Sequence, residues 1–264
     1  LTRVIGMHLE SVEGEGRRFL ELIRQATALG KKVIVLKSGR TDAGARAAAS
    51  HTGVLVQGND RVFDSLLKQC GAVRAYTIEE FFSLAKATER FDSGSLELRG
   101  DRVALATLPG GEAVIMTDLV QQEGLKMAQP DLRTFEKLKP IFPPWEISAN
   151  PFDLGVALQF NNPLTVYQTW VAAMNEDENV DALHLQVPEL MLMLPKEQFN
   201  IFRHDSGRRK PLVIWMTGRE PGTHENLTWL DAQGIPVFPG PEKAIRALSA
   251  LYRLGVFQNR IPFT

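Results

Sequence analysis

The segment Ser50-His51-Thr52-Gly53 combines an imidazole with two hydroxyl groups and a glycine. A neutral imidazole is a competent nucleophile near pH 7. Hydroxyl and backbone N–H groups can hold phosphoryl oxygens, and small residues let the backbone approach an anion closely. These residue types therefore indicate phosphoryl transfer at His51. The alternative is a loop histidine that only caps a helix or bonds a carbonyl.

The elements that position this segment follow from hydrophobic patterning. The apolar run Val33–Leu36 is typical of a buried parallel strand. A segment that leaves such a strand emerges at the carboxyl edge of the sheet, where folds of this class bind ligands. We therefore expect the small-residue-rich stretch from Ser38 to Gly53 to be a loop at that edge. Val4–Leu9 predicts a second strand, which ends just before Glu10.

Apolar runs alternate with amphipathic helical patterns along the whole chain. Such alternation predicts βαβ units, parallel sheets and helices on both sheet faces. Residues 93–100 have the composition of a linker. We predict an α/β protein of two flavodoxin-like, doubly wound parallel-sheet domains, at residues 1–92 and 101–264. The first has three predicted strands where about five are usual, so we expect a fragment of a longer polypeptide, incomplete at its N-terminus.

Composition narrows the function classes. The 264 residues carry 30 Lys and Arg against 31 Asp and Glu, which gives no support to a nucleic-acid or membrane-surface footprint. Cys70 is the one cysteine, so an internal disulfide and a Cys-only metal site are excluded. The other histidines lack metal-ligand spacing, and no metal site is predicted. No apolar run is long enough for a membrane helix, so a cytoplasmic protein is expected. The histidines considered for metal binding are His8, His184, His204 and His224.

Several motifs in order resemble one family. The run Lys37–Arg40, the Gly- and Ala-rich spacer and Ala48–Gly53 are similar to the phosphohistidine segment of the NDP-forming acyl-CoA synthetases. That family includes the ADP-forming acetate–CoA ligases and succinyl-CoA synthetase. The resemblance spans nearly the whole chain. Its further segments are Met7–Ser11, Pro109–Gly111, Asn150–Leu154 and Gly234–Phe238.

The resemblance implies a reaction and roles for individual residues. An acyl-CoA and phosphate would give an acyl phosphate and CoA, and the phosphoryl group would pass to His51 and then to ADP. His51 and Glu10 would be catalytic, with Glu10 accepting a hydrogen bond from the imidazole. The residues implied to bind phosphate are Ser50, Thr52 and Gly53 around His51, and Gly110 and Gly111 at a helix start in the second domain, which would receive the phosphoryl group across the domain interface.

The same resemblance implies cofactors and partners. The complete enzyme would use CoA, ADP or ATP, and Mg²⁺, none of which is firmly expected in this part alone. A CoA-binding Rossmann domain and an ATP-grasp nucleotide domain would act with it, in the same chain or a partner subunit, and an oligomer is expected. The acid itself, and ADP versus GDP, stay open.

One departure keeps two other functions open. The second-domain loop reads Thr107-Leu108-Pro109-Gly110-Gly111-Glu112, where the family usually has an Asn after the Thr. A carboxylate at Glu112 suits the helix dipole but would repel a phosphoryl group. The alternatives are a non-catalytic, ligand-binding synthetase-like region of a protein acyltransferase, and a scaffold that mediates subunit association.

Overall fold

The computed structural model divides into two compact units, residues 1–89 with 253–264, and residues 90–252. The predicted linker 93–100 lies mostly outside the described residues, so the predicted domain boundaries stay a prediction. The structure describes residues 2–52, 59–93, 98, 100–144, 149–202, 210–216 and 225–260.

The sheet of the first unit has three parallel strands in its described part, β1 (Val4–Leu9), β2 (Lys32–Lys37) and β3 (Val73–Ala75), in that spatial order. Leu9 pairs with Lys37, and Leu36 pairs with Ala75. The carboxyl ends of the three strands therefore lie level. The residues that follow them share one edge of the sheet.

Helices cover both faces of this sheet. The described helices of the unit are α1 (Gly16–Ala28), α2 (Asp42–Thr52), α3 (Asp60–Gln69) and the start of α4 (Ile78–Ser93). Ile23 of α1 and Leu67 of α3 pack with Val33 and Val35 on one face. On the other face, the ring of Phe81 of α4 packs over β1. A Cβ added at Gly6 of β1 would stand 2.8 Å from that ring. Thr77 caps α4 by accepting from Glu80 N at 3.0 Å, and the Glu80 carboxylate accepts from Tyr76 N at 2.8 Å.

The predicted loop from Ser38 to Gly53 was wrong for residues 42–52, which form α2. Five of its eleven residues are alanine, the residue with the highest helix propensity. The hydroxyl of Thr41 caps the helix start by accepting from Gly44 N at 3.1 Å. His51 therefore stands in the last turn of a helix, and Gly53 lies outside the described residues.

The second unit is built on another parallel sheet, in the order β5-β4-β7-β8-β9, with β6 paired to the end of β4. The predicted α/β fold with parallel, flavodoxin-like sheets is confirmed. The strands are β4 (Arg102–Thr107), β5 (Lys126–Met127), β6 (Phe152–Asp153), β7 (Ala182–Gln186), β8 (Leu212–Trp215) and β9 (Val237–Phe238). The helices are α5 (Gly110–Gln122), α6 (Leu132–Leu138), α7 (Leu154–Phe160), α8 (Pro163–Glu176), α9 (Glu225–Ala232) and α10 (Pro241–Arg260), of which α10 belongs to this unit up to Tyr252.

The core of the second unit is large and aromatic. Trp170 of α8 is fully buried and meets Phe152 edge-on, with ring centroids 6.0 Å apart. Tyr167 of the same helix is buried as well and donates to Gln186 O at 3.2 Å. This packing holds β6, and with it the residues after β4, against the sheet. None of the described helices is both long and apolar enough to cross a membrane.

Candidate functional site

His51 presents an accessible imidazole. It lies in the last turn of α2, about 14 Å along the helix axis from Asp42 at a rise of about 1.5 Å per residue. Its side chain is exposed, and Ala48 is the one buried residue of α2 whose burial is described. The C-terminal carbonyls of a helix carry partial negative charge. They disfavour a phosphoryl group at this end of the helix.

The hydroxyl next to His51 is already used. Ser50 Oγ donates to Ala47 O at 2.9 Å, within the same helix. It can donate to a phosphoryl oxygen only by breaking that bond. Thr52 is the last residue of α2, and the roles predicted for Ser50 and Thr52 stay predictions.

Glu10 lies at the carboxyl edge of the first sheet, directly after β1, and is half-buried. Ser38 follows β2 at the same edge and donates its backbone N–H to Leu9 O at 2.9 Å. His8 Nε2 stands 3.2 Å from Ser38 Oγ. The edge thus brings together a carboxylate, a hydroxyl and an imidazole. The predicted hydrogen bond between Glu10 and His51 stays a prediction.

In the second unit, the start of α5 exposes bare backbone. Gly110 and Gly111 are its first two residues, and Pro109 stands at the N-cap with no side-chain cap. Nothing lies within 4 Å of where a Cβ of Gly111 would stand. The first N–H groups of a helix have no partner inside it, so this start can bind an anion.

Two carboxylates stand beside that helix start. Glu112 lies in the first turn of α5, and its buried Oε2 has no hydrogen-bond partner. Asp153 Oδ2 would be 3.1 Å from a Cβ at Gly110. Both groups are negative where a bound phosphate would be negative, so they lower its affinity.

The loop between β4 and α5 is held by side chains that sequence reasoning missed. Gln186 Oε1, at the end of β7, accepts from Leu108 N at 2.6 Å. Thr107 Oγ1 donates to Pro109 O at 3.1 Å. A polar residue that ends an otherwise apolar strand, as Gln186 does, was the available signal. These bonds fix where α5 begins.

Asn150 joins two strands through its side chain. Its Oδ1 accepts from Leu105 N at 2.8 Å, and its Nδ2 donates to Val103 O at 2.8 Å and to Ala128 O at 3.0 Å. The amide thus substitutes for a strand beside β4. The Asn-Pro-Phe-Asp segment that the sequence singled out therefore has a structural task in this unit.

Metal ligands are not grouped in the part of the chain that the structure describes. No three His, Cys, Asp or Glu side chains there stand close enough together to hold an ion. His184 is fully buried in β7, with Nε2 3.3 Å from Pro241 O. Burial lowers its pKa to about 4, so the ring is neutral.

Known proteins give this geometry a context. Residues 1–88 match the family model of the succinyl-CoA ligase-like flavodoxin domain. The chain is 38% identical over 260 residues to the ADP-forming acetate–CoA ligase I subunit alpha of Pyrococcus furiosus, covering 96% of this chain and 52% of that relative. It is 34% identical to the ADP-forming 4-hydroxybutyrate–CoA ligase of Nitrosopumilus maritimus, covering 99% of this chain and 36% of that relative.

A solved structure is similar to this chain as well. The dinucleotide-forming acetyl-coenzyme A synthetase 1 of Ca. Korarchaeum cryptofilum, in complex with phosphate and ADP, superimposes with a TM-score of 0.81 at 30% identity. The match covers 97% of this chain and 54% of that chain. Taken together with the relatives, it shows that this chain, which spans about half the length of the relatives it matches or less, is similar over nearly its whole length to a portion of the ADP-forming acyl-CoA ligases.

Proposed function

We propose that this chain is the phosphohistidine core of an ADP-forming acyl-CoA ligase and that His51 carries the phosphoryl group. The observation that carries the proposal is the exposed imidazole of His51 within Ser-His-Thr-Gly, at the end of a helix that follows a buried parallel strand. An exposed imidazole is free to meet a donor and an acceptor in turn, which a phosphoryl carrier requires.

The proposed reaction balances over three steps. Phosphate displaces CoA from an acyl-CoA, which breaks the C–S bond and forms an acyl phosphate. An imidazole nitrogen of His51 attacks the phosphorus, so a P–N bond forms and the carboxylic acid leaves. A terminal oxygen of ADP then attacks the phosphohistidine, which gives ATP and restores the imidazole. The reverse direction activates an acid.

Glu10 is the proposed partner of the imidazole. A carboxylate that accepts from one ring nitrogen fixes the tautomer and makes the other nitrogen a better nucleophile. Glu10 stands at the carboxyl edge of the sheet, as such a role needs. The proposal requires the imidazole of His51 to reach the Glu10 carboxylate during the cycle.

The phosphoryl group needs donors other than its own helix, since the carbonyls that end α2 repel it. We assign that task to the backbone N–H groups of Gly110 and Gly111 in the second unit. Ser50 and Thr52 of α2 itself, and Gly53 after it, are proposed to bind the phosphoryl group as well. The carboxylates of Glu112 and Asp153 repel an anion at Gly110, so we expect a lower affinity for phosphate there than at a loop without carboxylates.

CoA, ADP or ATP, and Mg²⁺ belong to the proposed reaction as substrates and their counter-ion. The described residues offer no three-ligand cluster for a cation, so we propose that Mg²⁺ arrives bound to the nucleotide. A CoA-binding Rossmann domain and an ATP-grasp domain, in the same chain or a partner subunit, are the proposed partners. The acid and the choice between ADP and GDP are left to the assay below.

A non-catalytic role is the second candidate. The observation that favours it is the pair of carboxylates, Glu112 and Asp153, at the helix start where a phosphoryl group would be received. In that case the fold would serve as a ligand-binding region fused to a protein acyltransferase, or as a scaffold for subunit association.

Turnover distinguishes the candidates. The protein with its nucleotide-handling partner is mixed with ADP, phosphate and a panel of acyl-CoA esters, and ATP and free CoA are measured. The proposal predicts equal amounts of both products, loss of ATP in His51→Ala, and a fall of about tenfold or more in Glu10→Gln. Glu13→Gln, an exposed carboxylate three residues away, is the matched control and should keep the wild-type rate. ATP formation that survives in His51→Ala would refute the proposal.

A further inference from the structure

Three cations stand together at the carboxyl edge of the first unit's sheet. Lys37 ends β2, Arg40 follows it, and Arg74 lies in the neighbouring strand β3. We call these three residues the cation cluster. Folds of this class bind their ligands at this edge, and the mechanism proposed above assigns no role to the cluster.

Arg74 is the buried member and makes the close contacts. Its side chain is 2% exposed, and its Nη2 lies 2.5 Å from Asp60 Oδ1. Its guanidinium stands over the ring of Phe63 at 5.7 Å and over that of Tyr76 at 5.1 Å. Its Nε is buried without a hydrogen-bond partner. Arg74 thus orders the carboxylate and the two rings around it.

Lys37 and Arg40 extend the same arrangement outward. Lys37 Nζ stands 5.8 Å from the Phe63 ring, and the Arg40 guanidinium 5.0 Å from the Tyr76 ring. Cations and rings therefore alternate, with Arg74 in the middle. Contacts with a ring face contribute about 0.5–1 kcal/mol at exposed sites, which does not neutralise a charge.

Among the residues that the structure describes, the two outer cations have no anion closer than 4.0 Å. The hydrogen bond of the Lys37 ammonium in the described part of the chain is to Ser38 O, at 3.2 Å. Arg40 reaches Asp60 only at 4.0 Å, and its Nη1 donates to Tyr76 O at 3.4 Å. Asp60 is already the partner of Arg74. Three positive charges thus share one carboxylate, and the two with the weaker contacts are the more accessible.

The pKa of the Lys37 ammonium is consistent with three cations that share the Asp60 carboxylate. Burial lowers the pKa of the Lys37 ammonium, Asp60 raises it, and Arg74 and Arg40 lower it further. The helix start of α3 cannot supply the missing negative charge, and it needs no ligand, because the side chain of Asn59 caps it by accepting from Arg61 N at 2.9 Å. An external oxyanion would relieve the repulsion between Lys37 and Arg40.

We propose that Lys37 and Arg40 form a binding site for inorganic phosphate, and that Arg74 is the positioning residue that holds Asp60, Phe63 and Tyr76 around it. An ammonium and a guanidinium are both charged donors that bind phosphate oxygens. The choice of phosphate as the anion rests on the proposed function, in which phosphate is a substrate. The charge arrangement stands without it.

Isothermal titration of the protein with inorganic phosphate tests the site, with ionic strength held constant by chloride. We expect a Kd of about 1 mM or tighter, and a rise of about tenfold in Lys37→Met and in Arg40→Met, since each removes a charge-assisted bond. Lys37→Arg keeps the charge and should remain within about threefold of wild type. Arg17→Met, an exposed cation on α1, is the matched control and should leave the Kd unchanged. Thermal unfolding of each variant verifies that it is folded.

Two results would overturn the inference. One is the absence of phosphate binding by the wild-type protein. The other is a Kd in folded Lys37→Met and Arg40→Met that matches the Arg17→Met control. His51→Ala separates this inference from the proposed function, because it abolishes phosphoryl transfer but should leave the Kd for phosphate within about twofold, since the cluster does not include it. Phosphate binding without a phosphorylated His51 would support the site and refute the phosphohistidine mechanism.

Discussion

Gly155 stands so close to Leu108 that a Cβ at position 155 would overlap the Leu108 carbonyl oxygen and come within 3.0 Å of its carbonyl carbon. The contact joins the start of α7 to the loop that leads into α5. We expect Gly155→Ala to push this loop away and to lower the free energy of unfolding by about 1–3 kcal/mol, as overpacking does. Urea denaturation measures this change in the free energy of unfolding.

Gly111→Ala is the control for that substitution. A Cβ at Gly111 meets open space, so its midpoint of unfolding should match that of the wild type. If Gly155→Ala is as stable as Gly111→Ala, the close approach to Leu108 does not constrain the loop.

A second prediction concerns the side-chain amide of Asn150. Asn150→Ala leaves Leu105 N, Val103 O and Ala128 O without their partner. Buried backbone groups that lose a hydrogen bond cost about 1–3 kcal/mol each when water cannot replace it, so a loss of at least about 2 kcal/mol is expected by chemical denaturation. Asn200→Ala removes one exposed bond to Glu197 O and should cost little. Equal losses in the two variants would contradict the strand-like role of Asn150.

The buried imidazole of His184 should make the stability of the protein depend on pH. Its pKa is lowered to about 4 by burial, from 6.5 in the unfolded chain. The unfolded state therefore binds the proton first, and stability that is complete above about pH 6.5 is lost as the pH falls towards 4, by on the order of 3 kcal/mol. Below that pH the contribution of this residue stays constant.

Denaturation at several pH values between 4 and 7.5 measures the effect. His184→Leu should flatten this part of the profile, because no proton is then taken up on unfolding. His8→Leu, which removes an exposed histidine, is the matched control. Parallel profiles for the wild type and His184→Leu would show that the ring does not titrate as its burial requires.

Periodicity predicted much of the fold. The first strand was placed at Val4–Leu9, as observed, and Lys32–Lys37 extends the predicted run by one residue at each end. These strands are short apolar runs with clear boundaries, and their parallel pairing follows from the helices between them. Local pattern and final structure therefore agree for these two strands.

The sequence did not predict two of the helices, α2 and α8. The Ala- and Gly-rich stretch before His51 has composition typical of a loop, but its alanines and the Thr41 cap make it α2. Helix α8 was not predicted either, although it alternates buried positions such as Tyr167 and Trp170 with exposed positions such as Thr165 and Gln168.

The candidate site was predictable in part. His51, Glu10, Gly110 and Gly111 were singled out from residue types and a family resemblance, and each lies at a helix end or a sheet edge. Arg74 was not found, because its importance comes from burial against Asp60 and two rings distant in sequence. A charged residue inside a short strand was its one local signal.

Phosphopeptide mapping tests the central claim most directly. The protein with its nucleotide domain is incubated with Mg-ATP, kept at neutral to alkaline pH because phosphohistidine is acid-labile, and analysed by intact mass and peptide sequencing. We predict one acid-labile phosphate per chain on His51, absent in His51→Ala and lost on addition of ADP. A chain that stays unphosphorylated with an active nucleotide domain present, or phosphate on another residue, would contradict the account.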